Sequence, residues 1–199
     1  MFGILIFVFL TFYLVYKLNE ILGMRVGCHI KKENLRDFSS ESTIQETPVS
    51  HMDKDVVQVK KIYPAFNVDD FLKKAQKAFE IIFASYAKGD VRTLKSLLAP
   101  RIYHAFSMAI EDRKKRKETI EGILLRFISS KIEEISMTDN EIFITVRFET
   151  EQSNVLRSEN GIVLEGNSDF VEKHTEVWIF SRKKGATDAR WYLHEIKSE

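Results

Sequence analysis

The chain has 199 residues, of which 44% are hydrophobic and 30% charged, a composition that excludes a disordered protein and suits one globular domain with accessory segments. Thirty basic and 29 acidic residues give a formal net charge of +1, so the overall charge does not favour nucleic acid as a partner. The single cysteine, Cys28, excludes an intramolecular disulfide and a cysteine-rich zinc site. We expect no metal or other cofactor and no small-molecule substrate.

The first 16 residues, MFGILIFVFLTFYLVY, carry no charged side chain and are almost entirely apolar. Sixteen helical residues rise about 24 Å, short of the ~30 Å hydrocarbon core, so the span is expected to continue to residue 22, with Lys17 reaching the interface. A cleaved signal peptide is the alternative, but no basic residue precedes the apolar run and no small-x-small cleavage site follows it. Residues 1–22 are therefore predicted to be a transmembrane anchor.

Basic residues follow the predicted span, whereas only the α-amino group precedes it. They are Lys17, Arg25, Lys31, Lys32 and Arg36. By the positive-inside rule, this asymmetry places the downstream chain on the cytoplasmic side of the membrane.

The stretch 23–64 is polar, mixed in charge and rich in Ser, Thr and Glu, without a sustained helical or strand period. It is predicted to be a flexible linker, and about 40 coil residues give it a root-mean-square reach of roughly 35 Å. The remaining residues, 65–199, contain equal numbers of basic and acidic side chains. They are predicted to form one neutral domain.

Helical patterns open this domain. In FLKKAQKAFEIIFASYAKGD, residues 71–90, the apolar side chains fall on one helical face about 140° wide. Asn67 is the predicted N-cap of this helix and Gly89 its end. Asp90 caps a second, short helix, and a third runs from Ile102 into the basic run RKKRK.

The period then changes from 3.6 to 2, which is typical of strands. In the segment EIFITVRFE, residues 141–149, every second residue from Ile142 to Phe148 is apolar, and the residues between them are mostly polar or charged. Residues 131–137 are predicted to form the preceding strand. Three more strands are predicted in GIVLEGN, HTEVWIFSRK and RWYLHEIKS, with glycine and asparagine as turn residues. Helices followed by an antiparallel sheet predict an α+β fold.

The segment from Phe71 to Ile110, together with the later EVWIFSR and RWYLHEIKSE, resembles the C-terminal domain of the Tim44 family, including its bacterial members with an N-terminal membrane anchor. The residues that carry the resemblance are Phe71, Ala75, Phe79, Gly89, Asp90, Leu94, Leu97, Leu98, Phe106, Arg113, Phe148, Trp178, Phe180, Arg182 and Trp191. The chain departs from the family at Lys74, where a small residue is common, and in DARW, which replaces a Pro-Asn-Trp sequence. The mitochondrial members also have a long chaperone-recruiting region, and here a predicted span and linker take its place.

The resemblance implies a cone-shaped domain in which helices close over a curved antiparallel sheet, similar to the nuclear-transport-factor-two and cystatin-like folds. It also implies work at an inner membrane and a hydrophobic cavity that contacts lipid. We therefore expect a membrane-anchored, non-catalytic binding module that contacts anionic lipid, a protein partner linked to protein translocation or membrane-protein biogenesis, or both. The bacterial inner membrane is the predicted location, with the mitochondrial inner membrane as the less favoured alternative.

Two groups of side chains are candidate sites. An aromatic set either lines a cavity for an acyl chain or simply forms the core, and it consists of Phe79, Phe83, Tyr86, Tyr103, Phe106, Trp178 and Phe180. A basic run either is a solvated helix end or contacts anionic headgroups or RNA phosphates, and it consists of Arg113, Lys114, Lys115, Arg116 and Lys117.

An enzyme is the competing class of protein, because cone-shaped folds host isomerases and dehydratases that act on small apolar substrates. The candidate acid or base groups are His104, Asp169, His174 and His194, and no two of them have the spacing of a metal site or an acid/base pair. A buried histidine beside a carboxylate would favour this alternative. An adaptor that contacts the ribosome or RNA is the other alternative.

Overall fold

The computed structural model describes residues 51–168, 170–186 and 190–197. The predicted anchor, residues 1–22, and residues 23–50 of the predicted linker lie outside the described residues. Four helices precede five strands along the described part of the chain, as the α+β prediction requires. Within that part, no helix is long and apolar enough to cross a membrane.

The elements follow one another with short connections. The helices are α1 (His51–Ile62), α2 (Val68–Lys88), α3 (Val91–Leu97) and α4 (Pro100–Lys115), and the strands are β1 (Thr119–Met137), β2 (Glu141–Arg157), β3 (Val163–Gly166), β4 (Glu172–Lys183) and β5 (Tyr192–Lys197). The sheet is antiparallel throughout, in the order β1-β2-β4-β5, with β3 paired to β2 off this path. The predicted α+β arrangement, helices followed by an antiparallel sheet, is therefore confirmed, and the transmembrane helix predicted before it stays a prediction.

β3 and β4 lie along the same edge of β2. Val155 of β2 pairs with Gly166, the last residue of β3, and Gln152 of β2 pairs with Glu172, the first residue of β4. Five residues, 167–171, therefore connect two strands whose paired positions on β2 have only two residues, Ser153 and Asn154, between them.

The first strand is much longer than the sequence predicts. We expected it at 131–137, and it spans 19 residues from Thr119. Three register shifts leave Leu125, Ile128 and Glu133 without a partner position on β2, so the alternation of inward and outward side chains restarts at each one. A search for an unbroken period of two cannot detect such a strand. The same bulges bend the sheet.

The core lies between α2 and the inward face of the sheet. The predicted caps of α2 are confirmed, since the Asn67 side chain accepts a hydrogen bond from the Asp70 N–H at 2.9 Å and Gly89 has a left-handed φ of 70°. The predicted apolar face of the helix buries Phe71 and Phe79, among others.

The end of the predicted linker is a helix. The prediction that the flexible linker continues to residue 64 is wrong for α1, in which Val59 is 0% exposed. Met52, Val56, Val59 and Tyr63 recur at steps of four, three and four residues, which places them on one helical face, and this face packs against the core. The sequence contained this signal, but abundant polar residues around it obscured it.

Candidate functional site

The aromatic set divides into two groups in the structure. Phe79 stacks on Trp178 with ring centroids 4.4 Å apart, and it lies 6.3 Å from Phe83, while Trp178 lies 6.2 Å from Phe180. These four rings form a continuous chain of contacts between α2 and β4. Phe79, Trp178 and Phe180 are buried, and Phe83 lies at the border of the core.

The other group joins the helices. Tyr86 of α2 and Phe106 of α4 meet edge to face with centroids 5.2 Å apart, and Tyr103 is partly buried against the same core. The contacts in both groups are those of packed core side chains. A cavity for an acyl chain beside them stays a prediction.

A buried polar network lies next to Trp178 on the inward face of the sheet. Glu176 accepts hydrogen bonds from Trp178 Nε1 at 2.9 Å and from Gln152 Nε2 at 3.2 Å. Gln152, which is 0% exposed, also donates to Thr150 Oγ1 at 2.6 Å. Burial raises the pKa of the Glu176 carboxyl, and the two donors only partly offset this effect.

The sequence analysis missed this network, although the alternation along β4 contains the signal. Residues 174, 176, 178 and 180 share one face of the strand, so an inward Trp178 requires an inward Glu176. A carboxyl two residues before Trp178 and four before Phe180, on the same face of a predicted core strand, is a candidate buried group on this ground alone.

The histidines proposed for catalysis have separate surroundings. His104 is exposed, and His194 lies 3.4 Å from Ser181 Oγ and edge to face with Phe143. The side chain of His174 is 15% exposed and its Nε2 lies 3.7 Å from the Glu172 carboxylate, so this is a largely buried histidine beside a carboxylate, the arrangement that favours the enzyme alternative. Burial lowers the pKa of this histidine. Asp169 lies outside the described residues. Among the residues that the structure describes, no group of acidic, histidine or cysteine side chains could hold a metal ion.

The basic run is not one surface. Arg113 is only 5% exposed, and its Nη2 donates hydrogen bonds to the backbone carbonyl oxygens of Tyr86 at 2.8 Å and Ala87 at 3.0 Å. A solvated helix end and a contact with anionic headgroups or phosphates both require exposed side chains, so these predictions are wrong for Arg113. This side chain is a structural contact between α4 and the end of α2.

The other four basic residues are exposed, and three of them pair with carboxylates. Lys115 lies 3.2 Å from Glu111, Arg116 lies 2.9 Å from Glu118, and Lys117 lies 2.6 Å from Glu159. These pairs reduce the positive potential that the sequence suggests. The last pair also places the turn between β2 and β3 beside the end of α4.

Exposed apolar side chains gather beyond this turn. They form what we call the β3 surface, and their exposed fractions are 64% for Ile162, 47% for Val163, 50% for Leu164, 66% for Phe170 and 47% for Val171. The sequence predicted a strand in GIVLEGN, and a strand there is confirmed. Its exposure was not predicted, because sequence alternation shows which side chains share a face and not whether that face is covered.

The architecture is an α+β domain in which helices pack on a curved antiparallel sheet. The sequence model of the Tim44-like domain matches residues 53–198, so the chain belongs to the Tim44-like domain family. The match includes most of α1.

Two curated relatives are similar to the chain. One is "Mitochondrial import inner membrane translocase subunit TIM44-1" of Arabidopsis thaliana, 21% identical over 60% of this chain and 25% of that protein. The other is "Uncharacterized protein RP434" of Rickettsia prowazekii (strain Madrid E), 25% identical over 77% of this chain and 63% of that protein. The chain thus matches a quarter of the first relative's length and somewhat under two thirds of the second's.

Among solved structures, the intermembrane space region of the chloroplast protein ARC6 is similar over 63% of this chain and 94% of that chain. The identity is 11% and the TM-score 0.45, and we draw no conclusion from this likeness.

Proposed function

We propose that the chain is a non-catalytic binding module, held at a bacterial inner membrane by residues 1–22, whose domain engages a protein partner in protein translocation or membrane-protein biogenesis. Membership of the Tim44-like family supports this, as does the name of the Arabidopsis relative, an import translocase subunit. The charge-free N-terminal segment and the basic residues after it support the anchor and its orientation.

One observation carries the proposal of a binding module over that of an enzyme. The inward face of the sheet is occupied by packed rings, with Phe79, Phe148 and Phe180 each at most 2% exposed, whereas apolar side chains gather on the outside at the β3 surface. Exposed apolar clusters of this kind mark contacts with other macromolecules. The buried carboxyl of Glu176 has hydrogen-bond donors on both oxygens, which accounts for it without a catalytic role.

The exposed part of the basic run favours an additional contact with anionic lipid. Lys114, Lys115, Arg116 and Lys117 are exposed at the end of α4, and each basic residue near a charged bilayer contributes about 1 kcal/mol of attraction. Because three of these side chains already pair with carboxylates, we expect a weaker total attraction to the bilayer than four unpaired charges would give.

The test of the partner is crosslinking of the full chain in native membranes with a lysine-reactive reagent, followed by identification of the adducts. Discrete adducts with membrane proteins of translocation or biogenesis are expected. Adducts only with soluble metabolic enzymes would contradict the proposal. Protease added to intact spheroplasts should spare the domain, and digestion before lysis would contradict the orientation.

The lipid contact is tested with residues 51–199 and vesicles that contain phosphatidylglycerol. Replacing the four exposed basic residues of the run by Gln should weaken binding at low salt and have less effect at high salt. The matched control replaces four other exposed lysines, Lys60 on α1 and Lys73, Lys74 and Lys77 on α2, by Gln. Equal weakening by both sets would show that binding depends only on net charge.

A further inference from the structure

Arg182 of β4 is one of two arginine side chains that are buried in the described part of the chain, and the other is Arg113. Arg182 is 8% exposed and lies opposite Ile142 of β2, which is 1% exposed, so its side chain is on the inward face of the sheet. A buried arginine is ordinarily paired, because a charge that leaves water without a partner loses its hydration and gains nothing in return. Each buried guanidinium therefore requires an acceptor or an anion close by.

The two buried arginines differ in their acceptors. Nη2 of Arg113 donates hydrogen bonds to two backbone carbonyl oxygens, at 2.8 and 3.0 Å. Nη2 of Arg182 has a single acceptor, the carbonyl oxygen of Ala186 at 3.5 Å, which is beyond the ordinary range of about 2.7–3.2 Å. In both side chains Nη1 is buried and has no hydrogen-bond partner among the described residues. Arg113 is thus held by two close acceptors, whereas one edge of the Arg182 guanidinium has none.

The ring of Tyr63 covers the Arg182 guanidinium, with Cζ 4.0 Å from the ring centroid. This contact stabilises the cation, but the N–H groups lie in the plane of the guanidinium and still require acceptors. Tyr63 follows the last residue of α1 and is partly exposed. Its side chain is therefore the part of this site that can move without unpairing a strand.

No carboxylate of the described residues lies within 4.0 Å of the Arg182 nitrogen atoms. Glu141 of β2 pairs with Lys183, the residue after Arg182, and this pair lies on the opposite face of the sheet. The other acidic residues at the start of α2 and in the turn before β2 are exposed, and they are Asp69, Asp70 and Asp139. The charge of Arg182 is therefore not compensated within the described part of the chain.

We propose that Arg182 binds an oxyanion, the carboxylate or phosphate group of a small ligand, at the Nη1 edge of its guanidinium. Both groups present oxygen atoms that match the planar fork of an arginine. The bound group is small, because the side chain is only 8% exposed and Tyr63 covers it. The inference goes beyond the proposed function, since it adds a ligand site inside the domain, and it does not depend on the basic run at the end of α4.

The experiment uses the full chain in dodecyl maltoside micelles, which contain no phosphate. Thermal unfolding is followed by the fluorescence of Trp178 and Trp191, the only tryptophans of the chain. Sodium acetate and sodium phosphate are titrated against sodium chloride at constant ionic strength. An anion that binds the folded protein should raise the unfolding midpoint by about 3–6 °C at about ten times its dissociation constant. A larger rise with acetate identifies a carboxylate ligand, and a larger rise with phosphate identifies a phosphate group.

Arg182→Met removes the charge and keeps much of the side-chain volume. This variant should lose the response to acetate and phosphate, and in chloride its midpoint should equal or exceed that of the wild type, because an unpaired buried cation is replaced by an apolar side chain. Arg182→Lys keeps the charge without the planar fork and should bind the anion about tenfold more weakly. The matched control is Lys183→Gln, at the next, exposed position on the opposite face, and it should respond as the wild type does.

Two results would overturn the proposal. One is a wild type that responds to acetate and phosphate no more than Arg182→Met does, since a water molecule would then suffice as the partner of Nη1. The other is a folded Arg182→Met variant that keeps the full response, which would place anion binding elsewhere on the chain. If Arg182→Met does not fold, equal anion affinities of Arg182→Lys and the wild type would contradict recognition by the guanidinium.

Discussion

The guanidinium of Arg113 lies over the ring of Tyr86, with Cζ 5.0 Å from the ring centroid, and donates a hydrogen bond to the carbonyl oxygen of the same residue at 2.8 Å. Tyr86 belongs to the last turn of α2, where backbone carbonyls concentrate partial negative charge. One side chain thus caps α2, covers an aromatic ring and joins α2 to α4.

Arg113→Gln is expected to lower the free energy of unfolding of residues 51–199 by roughly 2–3 kcal/mol, since it removes two charge-assisted hydrogen bonds and the cation over Tyr86. Urea denaturation followed by the fluorescence of Trp178 and Trp191 measures this change. The control is Lys114→Gln at the next, exposed position, which should change stability by less than about 0.5 kcal/mol. Equal effects of the two substitutions would contradict the structural role of Arg113.

Removal of α1 should destabilise the domain. A fragment that begins at residue 65 loses the contacts of the fully buried Val59 and of its partly buried neighbours, and burial of one Val side chain alone contributes about 1.5–3 kcal/mol. We expect its urea midpoint to fall well below that of a fragment that begins at residue 51. Within the longer fragment, Val59→Ala should destabilise and Val57→Ala, at a 53% exposed position, should not. Identical urea midpoints for the two fragments would show that α1 does not stabilise the domain and is part of the linker.

Gly166 offers a steric test of the β3 connection. Its φ is 84°, and a Cβ at this position would lie 2.0 Å from the carbonyl oxygen of Asn154. Gly161 has a similar φ of 76°, but a Cβ there would have no neighbouring atom within 4 Å, so Gly161→Ala carries only the conformational cost, about 1 kcal/mol. Gly166→Ala should lower the midpoint of thermal unfolding clearly more than Gly161→Ala does. Equal costs would show that the connection can move away from β2.

Glu176 should give stability an unusual pH dependence. Because burial raises the pKa of this carboxyl in the folded state, the folded protein holds its proton more tightly than the unfolded chain does. The contribution of Glu176 to stability is therefore fully present below the ordinary carboxyl value of 4.5 and is lost as the pH rises through the higher folded value. Unfolding free energies of wild type and Glu176→Gln across this range should diverge with rising pH. Parallel curves would contradict a raised pKa.

Local signals in the sequence predicted the right elements where a single residue sets the geometry, as Asn67 and Gly89 do at the ends of α2. They failed where tertiary contacts decide. The five basic residues cover more than one helical turn, so one of them had to face inward, and Arg113 follows Ile102, Phe106 and Ile110 on the buried side of α4. The helical spacing makes Arg113 the candidate for the internal position, but only the contacts of α4 with Tyr86 and Ala87 at the end of α2 decide that this side chain is buried.

The paired strands around β2 also define where the backbone is most protected from solvent. β2 has β1 along one edge and β4 followed by β3 along the other, whereas β1 pairs with β2 alone among the described strands. Amide hydrogens in the middle of β2 should therefore exchange with deuterium only when the whole domain opens, while the amides of Asn167 and Ser168, which follow β3, should exchange through local opening. The Ser153 hydroxyl of β2 donates to the carbonyl oxygens of Asn167 and Ser168, so β2 and the residues after β3 are in contact. One exchange experiment therefore reports global opening at β2 and local opening beside it. A partner seated on the β3 surface would slow exchange at Asn167 and Ser168 before it changed exchange in β2.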